Sequence, residues 1–365
     1  MQYKLKVLYT IPNFNTAGSG KVVYDLVKGI DKAHFAPEIL VKHTRGAFFK
    51  EVEKLGVPIH VFDYETAYYP LWSFPFRLLK VVNFFKSLDV DIIHSWHWSS
   101  DFSEALAAKL AGIKYVYTKK NMGWGNKAWV WKSKLSHQVI AINKDMVKRF
   151  FNPIPSIKAV YLPLSIDTDY YSPKPLGQVI AEQCGIKKDD FVVISVANLI
   201  PLKGIEVLIH AFKKLNLKDK KLILVGNNKN EYGKKLMLEY KDDNILFTGK
   251  QIDVRPYLSL ANIFCIPTLS VGEGQGLAPL EAMSMGIPVL GSRVSGITDI
   301  LEGFEEYLFE AGNDKELAIK LNKINEMPSD KVISLGEKMR KKVEKEYSFS
   351  QFINSRQKVY QKLVK

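Results

Sequence analysis

Two glutamates, Glu273 and Glu281, stand eight residues apart in the stretch EGQGLAPLE. A pair of carboxylates could cut a glycosidic bond, but a hydrolase must hold them across that bond at a set separation, and spacing along a chain does not supply that distance. The residues between them point elsewhere. Gly274 and Gly276 leave backbone open to a ligand, and Pro279 falls where the first turn of a helix is expected. Both carboxylates are then expected to face one interdomain space. A second candidate is Lys203, which with Gly204 follows the apolar run FVVISVANL and precedes an amphipathic pattern. A lysine at such a turn reaches a diphosphate, although lysines at helix starts are also common on plain surfaces. A third is NFNTAGSGKVVYDL. Its GSGK fails as an ATPase phosphate loop, because Asn13 stands where the leading glycine belongs and Val22 where the Ser or Thr belongs. What remains is a glycine turn at Gly18 and Gly20 that opens a helix and admits a phosphate or sugar; for Gly20 a plain turn serves equally.

Such turns need strands to carry them. Short apolar runs alternate with helical patterns: KVLYTI, APEILV, IHVFD, DIIHSW, YVYTK, HQVIAI and KAVYLP in the first half, then FVVISVANL, KLILVG, NILFTG, NIFCIP and IPVLGS. Strands separated by helices imply right-handed crossovers and two doubly wound parallel sheets, in which ligands bind beyond the carboxyl ends of the strands. The join is expected within residues 161–178, where prolines and polar residues interrupt the pattern. Residues 341–365 read as helical throughout. At 365 residues, 47% of them hydrophobic, the chain suffices for two cores. No apolar run approaches the ~18 residues of a spanning helix, and the first residues do not read as a secretory signal, so a cytoplasmic protein is expected. Cys184 and Cys265 lack any metal spacing and read as reduced and structural. The net charge of +14 is weighted toward the first half, which is expected to meet something anionic.

With these residues in hand, the chain resembles the retaining glycosyltransferases of GT-B architecture in family 4, the group 1 glycosyltransferases, over nearly its whole length. Glu273 and Glu281 match the family's Glu-x7-Glu motif. Around them lie the Gly18 loop, LPLSIDTDYYSP, the Lys203–Gly204 pair, VGNN at 225–228, FTGK at 247–250 and SGITDIL at 295–301, in matching order. The resemblance implies two Rossmann-like domains facing across a cleft, an acceptor-side domain over 1–170 and a nucleotide-sugar domain over 171–344, with a C-terminal helix at about 345–365 able to pack back on the first. It implies that Lys203 binds the donor diphosphate, Glu281 the ribose hydroxyls and Glu273 the transferred sugar. The amides of Gly274, Gln275, Gly276 and Leu277 would line sugar and phosphate, Gly18 would approach the diphosphate, and Thr248 to Gln251 would touch the nucleobase. Lysine and amides would take up the leaving group's charge, with no metal and no cofactor expected.

Several positions depart from the family pattern. Asn198 stands where an arginine is usual, so one diphosphate cation is missing unless Arg293 or Lys250 replaces it. Gln275 replaces a common phenylalanine, and Gly20 a frequent glutamate. Instead of His-x-His the chain reads His94, Trp96, His97; His97 is the catalytic candidate on the acceptor side, with His94 and Trp96 beside it, although His94 also reads as a hydrogen-bonded strand-end residue. DVD at 89–91 and DTD at 167–169 mimic a metal motif, but one leads into a strand and the other lies in the linker.

Two basic aromatic stretches, residues 64–87 and 119–134, mix tryptophan and tyrosine with lysine as membrane-surface segments do. Leu78, Val81 and Phe85 at helical spacing pack inward equally well, and an aromatic acceptor groove is the other reading. No nucleic-acid module is present. The expected function is transfer of a hexosyl unit, with retention, from a nucleotide-diphosphate sugar to a hydroxyl of a glycan or lipid-linked acceptor in surface polysaccharide or glycolipid synthesis, with peripheral contact at the inner face of an anionic membrane. The alternative is a catalytically weak sugar-nucleotide-binding protein of the same fold.

Overall fold

The computed structural model describes residues 3–364 except 16, 47, 125, 176, 270 and 271, and only the backbone of Ala17 and Gly18. The chain divides into two compact units, Met1–Leu164 with Phe352–Lys365, and Ser165–Gln351.

The first unit is built on a seven-stranded parallel sheet. Its strands are β1 (Leu5–Thr10), β2 (Phe35–Val41), β3 (Ile59–Val61), β4 (Ile92–Ser95), β5 (Lys114–Lys119), β6 (Gln138–Ala141) and β7 (Ala159–Tyr161), in the order β3-β2-β1-β4-β5-β6-β7. Parallel strands covered by helices on both faces are buried on both, which is why they read as unbroken apolar runs. Val7, Leu8, Tyr9, Ile92, Ile93 and Val116 are all fully buried. Strand order reverses between β1 and β4, where Thr10 pairs with Ser95, and the crevice beyond these strand ends is the expected ligand position.

The second unit holds β8 (Phe191–Val196), β9 (Lys220–Val225), β10 (Ile245–Gly249), β11 (Ile263–Ile266), β12 (Val289–Ser292) and β13 (Leu308–Phe309), all parallel, in the order β10-β9-β8-β11-β12-β13. Here the order reverses between β8 and β11. Cys265 lies at the centre of β11, fully buried, and both cysteines are free thiols. Every strand expected from the sequence is present. The two-residue β13 adds one more, too short to leave a periodic signal.

The C-terminal region is not one helix. Ser329–Glu346 ends at Tyr347, and Phe349–Val364 begins two residues later. Between them the Tyr347 carbonyl accepts the Ile166 N–H at 2.9 Å, and Ser348 bridges Ile166. This pairing stops the first helix within the second unit. The second helix belongs to the first unit, where Tyr360 hydrogen-bonds His94 and the buried Arg356 donates to the Leu162 carbonyl at 2.8 Å.

Candidate active site

The turns beyond β8 and β11 carry the chemistry of the second unit. After β8 the chain passes Asn198, makes the short helix Pro201–Lys203, and enters the helix Ile205–Lys213 through Gly204. Gly204 has φ of 62°, and a Cβ there would lie 2.0 Å from the Pro267 carbonyl oxygen, so only glycine lets this turn close against the strand end of β11. Lys203 thereby reaches the loop after β11 and forms an ion pair with Oε1 of Glu273. Thr268 Oγ1 donates to the same oxygen at 2.9 Å. The loop is also held from behind, because the Glu273 N–H donates to the Ser295 carbonyl at 2.9 Å. Gly296, with φ of 81°, would bring a Cβ within 2.6 Å of the Glu273 carbonyl oxygen. That contact accounts for SGITDIL lying beside the glutamate loop.

The loop then becomes the helix Leu277–Ser284, with Gly276 at its N-cap and Pro279 as its third residue, where a missing N–H leaves no intrahelical bond unmade. Glu281 projects from its second turn. The Tyr171 hydroxyl donates to its carboxylate, yet burial dominates and pushes the Glu281 carboxyl up to about 7. Asn198, Lys203, Glu273, Gln275, Gly276, Leu277 and Glu281 all line one pocket of about 520 Å³, with Gly226, Asn227, Lys250 and Gln251 at its other side. That volume suits a small ligand of several polar groups. The arrangement presents two cations, Lys203 and Lys250, two carboxylates and a helix N-terminus to a single space. Among the described residues, no three His, Cys, Asp or Glu side chains are grouped to hold a metal ion.

Of the replacements expected for the missing arginine, Lys250 lines this pocket, whereas Arg293 pairs with Glu310 at 2.8 Å and does not. Gly274 is outside the pocket lining. Tyr171 and Thr268 were not singled out by sequence. The first lay inside the linker stretch DTDYYSP; its carbonyl accepts Ser284 Oγ at 2.6 Å, tying that stretch to the glutamate-bearing helix. Thr268 carried no signal of its own.

In the first unit the expected residues divide. Gly18 belongs to the first turn of the helix Ala17–Gly29, and its surroundings lie outside the described residues. His94 is fully buried, with Nδ1 at 2.6 Å from the Tyr360 hydroxyl and Nε2 at 2.8 Å from Thr118 Oγ1. Both ring nitrogens are engaged, which is the core-histidine alternative. Trp96 is fully buried as well. His94 therefore offers an acceptor nothing, whereas the buried Trp96 Nε1 has no hydrogen-bond partner among the described residues. His97 is nearly buried; its Nδ1 accepts the Ser99 N–H at 3.0 Å, which leaves Nε2–H to donate to Glu65 Oε2 at 3.0 Å. With both nitrogens so used, neutral His97 has no free lone pair for a proton, and burial together with the Lys132, Lys42 and Lys120 charges lowers it to about 3. Glu65, which the sequence did not mark, sits beside it with its carboxyl raised to about 7, chiefly by burial and by the nearby Glu104. The two Asp-x-Asp pairs serve local structure: Asp89 pairs with Lys6, Asp91 accepts the Lys6 N–H, and Asp167 accepts the N–H groups of Asp169 and Tyr170.

Comparison with known proteins decides the family. The model for glycosyl transferases group 1 matches residues 178–346, and that for glycosyltransferase family 4 matches residues 16–170. The chain belongs to the group 1, family 4 glycosyltransferases. Among curated members of the family, the N-acetyl-alpha-D-glucosaminyl L-malate synthase of Bacillus anthracis is 30% identical over 62% of this chain and 58% of its own length. An Escherichia coli enzyme named UDP-Gal:alpha-D-GlcNAc-diphosphoundecaprenol alpha-1,3-galactosyltransferase is 25% identical over 72% of each. The match thus spans less than two thirds of the first relative. A solved glycosyltransferase from Rickettsia africae aligns over 100% of both chains with a TM-score of 0.86 at 18% identity. The glycosyltransferase fold here is accordingly GT-B, with two Rossmann-like units.

Proposed function

We propose that this protein transfers a hexosyl unit from a nucleotide-diphosphate sugar to a hydroxyl of a glycan or lipid-linked acceptor, with retained anomeric configuration. The observation that carries this is the convergence of Lys203, Glu273 and Glu281 on one pocket at the switch point of the second unit. Ligands of doubly wound sheets bind at that point. Lys203 takes the donor diphosphate, releasing Glu273 to the hydroxyls of the transferred sugar, and Glu281 accepts from the ribose. As the sugar departs, the leaving diphosphate gains charge, which the lysine and the amides around Gly276 stabilise. Activity is expected to persist after EDTA treatment; loss on chelation and recovery with Mn²⁺ would overturn that part. The names of the two curated relatives support acceptors in small-molecule or lipid-linked glycan synthesis.

Contact with an anionic membrane belongs to the same proposal. Among the described residues no helix is long and apolar enough to cross a membrane. Tyr69, Leu71, Trp72 and Phe76 are nonetheless exposed within eight residues of chain, Trp72 by 78%. Leu78, Val81 and Phe85 of the helix Phe74–Ser87 face inward, while Phe76, Leu79, Lys80 and Lys86 on its other side stay exposed and free to meet lipid. The direct test is a thermal-shift screen of nucleotide sugars, followed by a transfer assay with the product anomer read by NMR. A panel in which no nucleotide sugar raises the melting temperature would sink the reading.

A further inference from the structure

The first unit has its own reversal of strand order, between β1 and β4, and the chain ends there carry an unusual set of polar groups. Lys132 is fully buried; its ammonium donates to the Ser99 carbonyl at 3.1 Å, lies 5.2 Å from the centre of the Tyr117 ring and acts at longer range on Glu65. Lys120 donates to Ser19 Oγ at 3.0 Å and to the Trp96 carbonyl. Among the described residues neither lysine has a carboxylate within ion-pair distance, unlike Lys42, which pairs with Glu65 at 3.0 Å. Around them stand further buried atoms, the donor Trp96 Nε1 and the acceptor Glu65 Oε1, each without a hydrogen-bond partner among the described residues. The charges of Lys42, Lys120 and Lys132 all act on His97, so these groups share one locality. A buried cation without a counter-charge is costly, and an orphaned buried polar atom calls for a partner. Here cations and orphaned groups coincide at the position where this sheet topology places ligands.

We infer that Lys120 and Lys132 form an anion-binding subsite for a phosphate or carboxylate group of the acceptor, with Trp96 Nε1 as a further donor and Glu65 Oε1 free to accept from a neighbouring hydroxyl. This rests on the transferase reading and narrows it: the acceptor carries a negative group. Burial assisted by Lys132 lowers the Lys120 ammonium to about 7, the signature of a cation lacking its partner.

All six tryptophans, from Trp72 to Trp131, lie in the first unit, so intrinsic fluorescence reports that unit alone. The full chain should be titrated at constant ionic strength with inorganic phosphate and, separately, with succinate, using chloride as control. A saturable response to one of the two is expected, phosphate indicating a phosphorylated acceptor and succinate a carboxylate one. Lys120→Gln should weaken it at least tenfold, while Lys134→Gln, at an exposed lysine nearby, should leave it within twofold. UDP affinity, measured by calorimetry, should be unchanged in Lys120→Gln, and a tryptophan emission spectrum matching the unmodified protein in the absence of anion establishes that its first unit is folded. No saturable response to either anion, or equal affinity in Lys120→Gln, would overturn the inference. Failure of all nucleotide sugars to bind while the anion response persists would instead remove the donor reading and leave the subsite standing.

Discussion

Glu281 offers a test in which the proton is the probe. Burial raises its carboxyl from the ordinary 4.5 to about 7. The folded chain therefore holds more protons than the unfolded one between those values, so this group's contribution to stability falls as pH rises through that window. If Glu281 accepts hydrogen bonds from the ribose, only the ionised form is competent. With a pKa of about 7 the ionised fraction is about a tenth at pH 6 and about nine-tenths at pH 8. Apparent affinity scales with the competent fraction, so Kd for UDP-glucose should fall about tenfold from pH 6 to pH 8. UDP-glucose suits the measurement because its diphosphate is esterified at both ends and keeps both its negative charges, one on each phosphate, unchanged across this range. Among the described residues no histidine lines the pocket to mimic the effect. Calorimetry at half-unit steps, in buffers of matched ionic strength, should trace the curve, and Glu281→Gln should bind weakly with no slope. A flat profile in the unmodified protein, or the same slope in the glutamine variant, would refute the reasoning.

Glu273→Gln should lower turnover more than tenfold, over ~1.4 kcal/mol of barrier, without unfolding the chain, as seen by circular dichroism beside a transfer assay; an unchanged rate would remove its role at the sugar. Asn198→Arg should tighten nucleoside diphosphate binding if Lys250 does not already supply the second cation, and an unaltered Kd would assign that work to Lys250. Gly204→Ala forces a side chain into φ of 62° and against the Pro267 carbonyl, so it should cost at least ~1–2 kcal/mol of stability in urea unfolding and weaken donor binding with it; neutrality would contradict the close approach. For the membrane proposal, co-sedimentation with anionic vesicles should fall as salt rises and fall further when exposed Lys127 and Lys134 become glutamate. Equal recovery with neutral vesicles would argue for an acceptor groove instead. Lys132 is unsuitable for that test, because it is fully buried.

The strands were legible because burial on both faces leaves a composition signal that alternating surface strands lack. The glutamate turn was legible because glycine and proline mark backbone that few other residues tolerate. What escaped was contact over long sequence separation. Nothing near His94 announces Tyr360, some 260 residues away, which converts a strand-end histidine into a core one. Glu65 sits in an aromatic stretch that reads as interfacial, and its role depends on His97 in another element. Lys132 looked like a surface lysine among tryptophans, since charge is visible in a sequence and burial by distant elements is not.

The return of Phe352–Lys365 to the first unit bears on how the molecule is made. During synthesis Met1–Leu164 emerges before Ser165–Gln351, and Tyr360 and Arg356 only after it, so His94, Tyr9 and the Leu162 carbonyl wait through translation of the whole of Ser165–Gln351. Domains commonly fold in the order they are synthesised. Here that order should be inverted, with the Ser165–Gln351 unit maturing while the earlier half still lacks its closing helix. A chain ending at Gln351 should accordingly be cut by protease before Leu164 while the segment from Ser165 onward resists; equal resistance of both would show that the first half closes without its final helix. A nascent chain of this design exposes its first unit to proteases and chaperones until Phe352–Lys365 has been made.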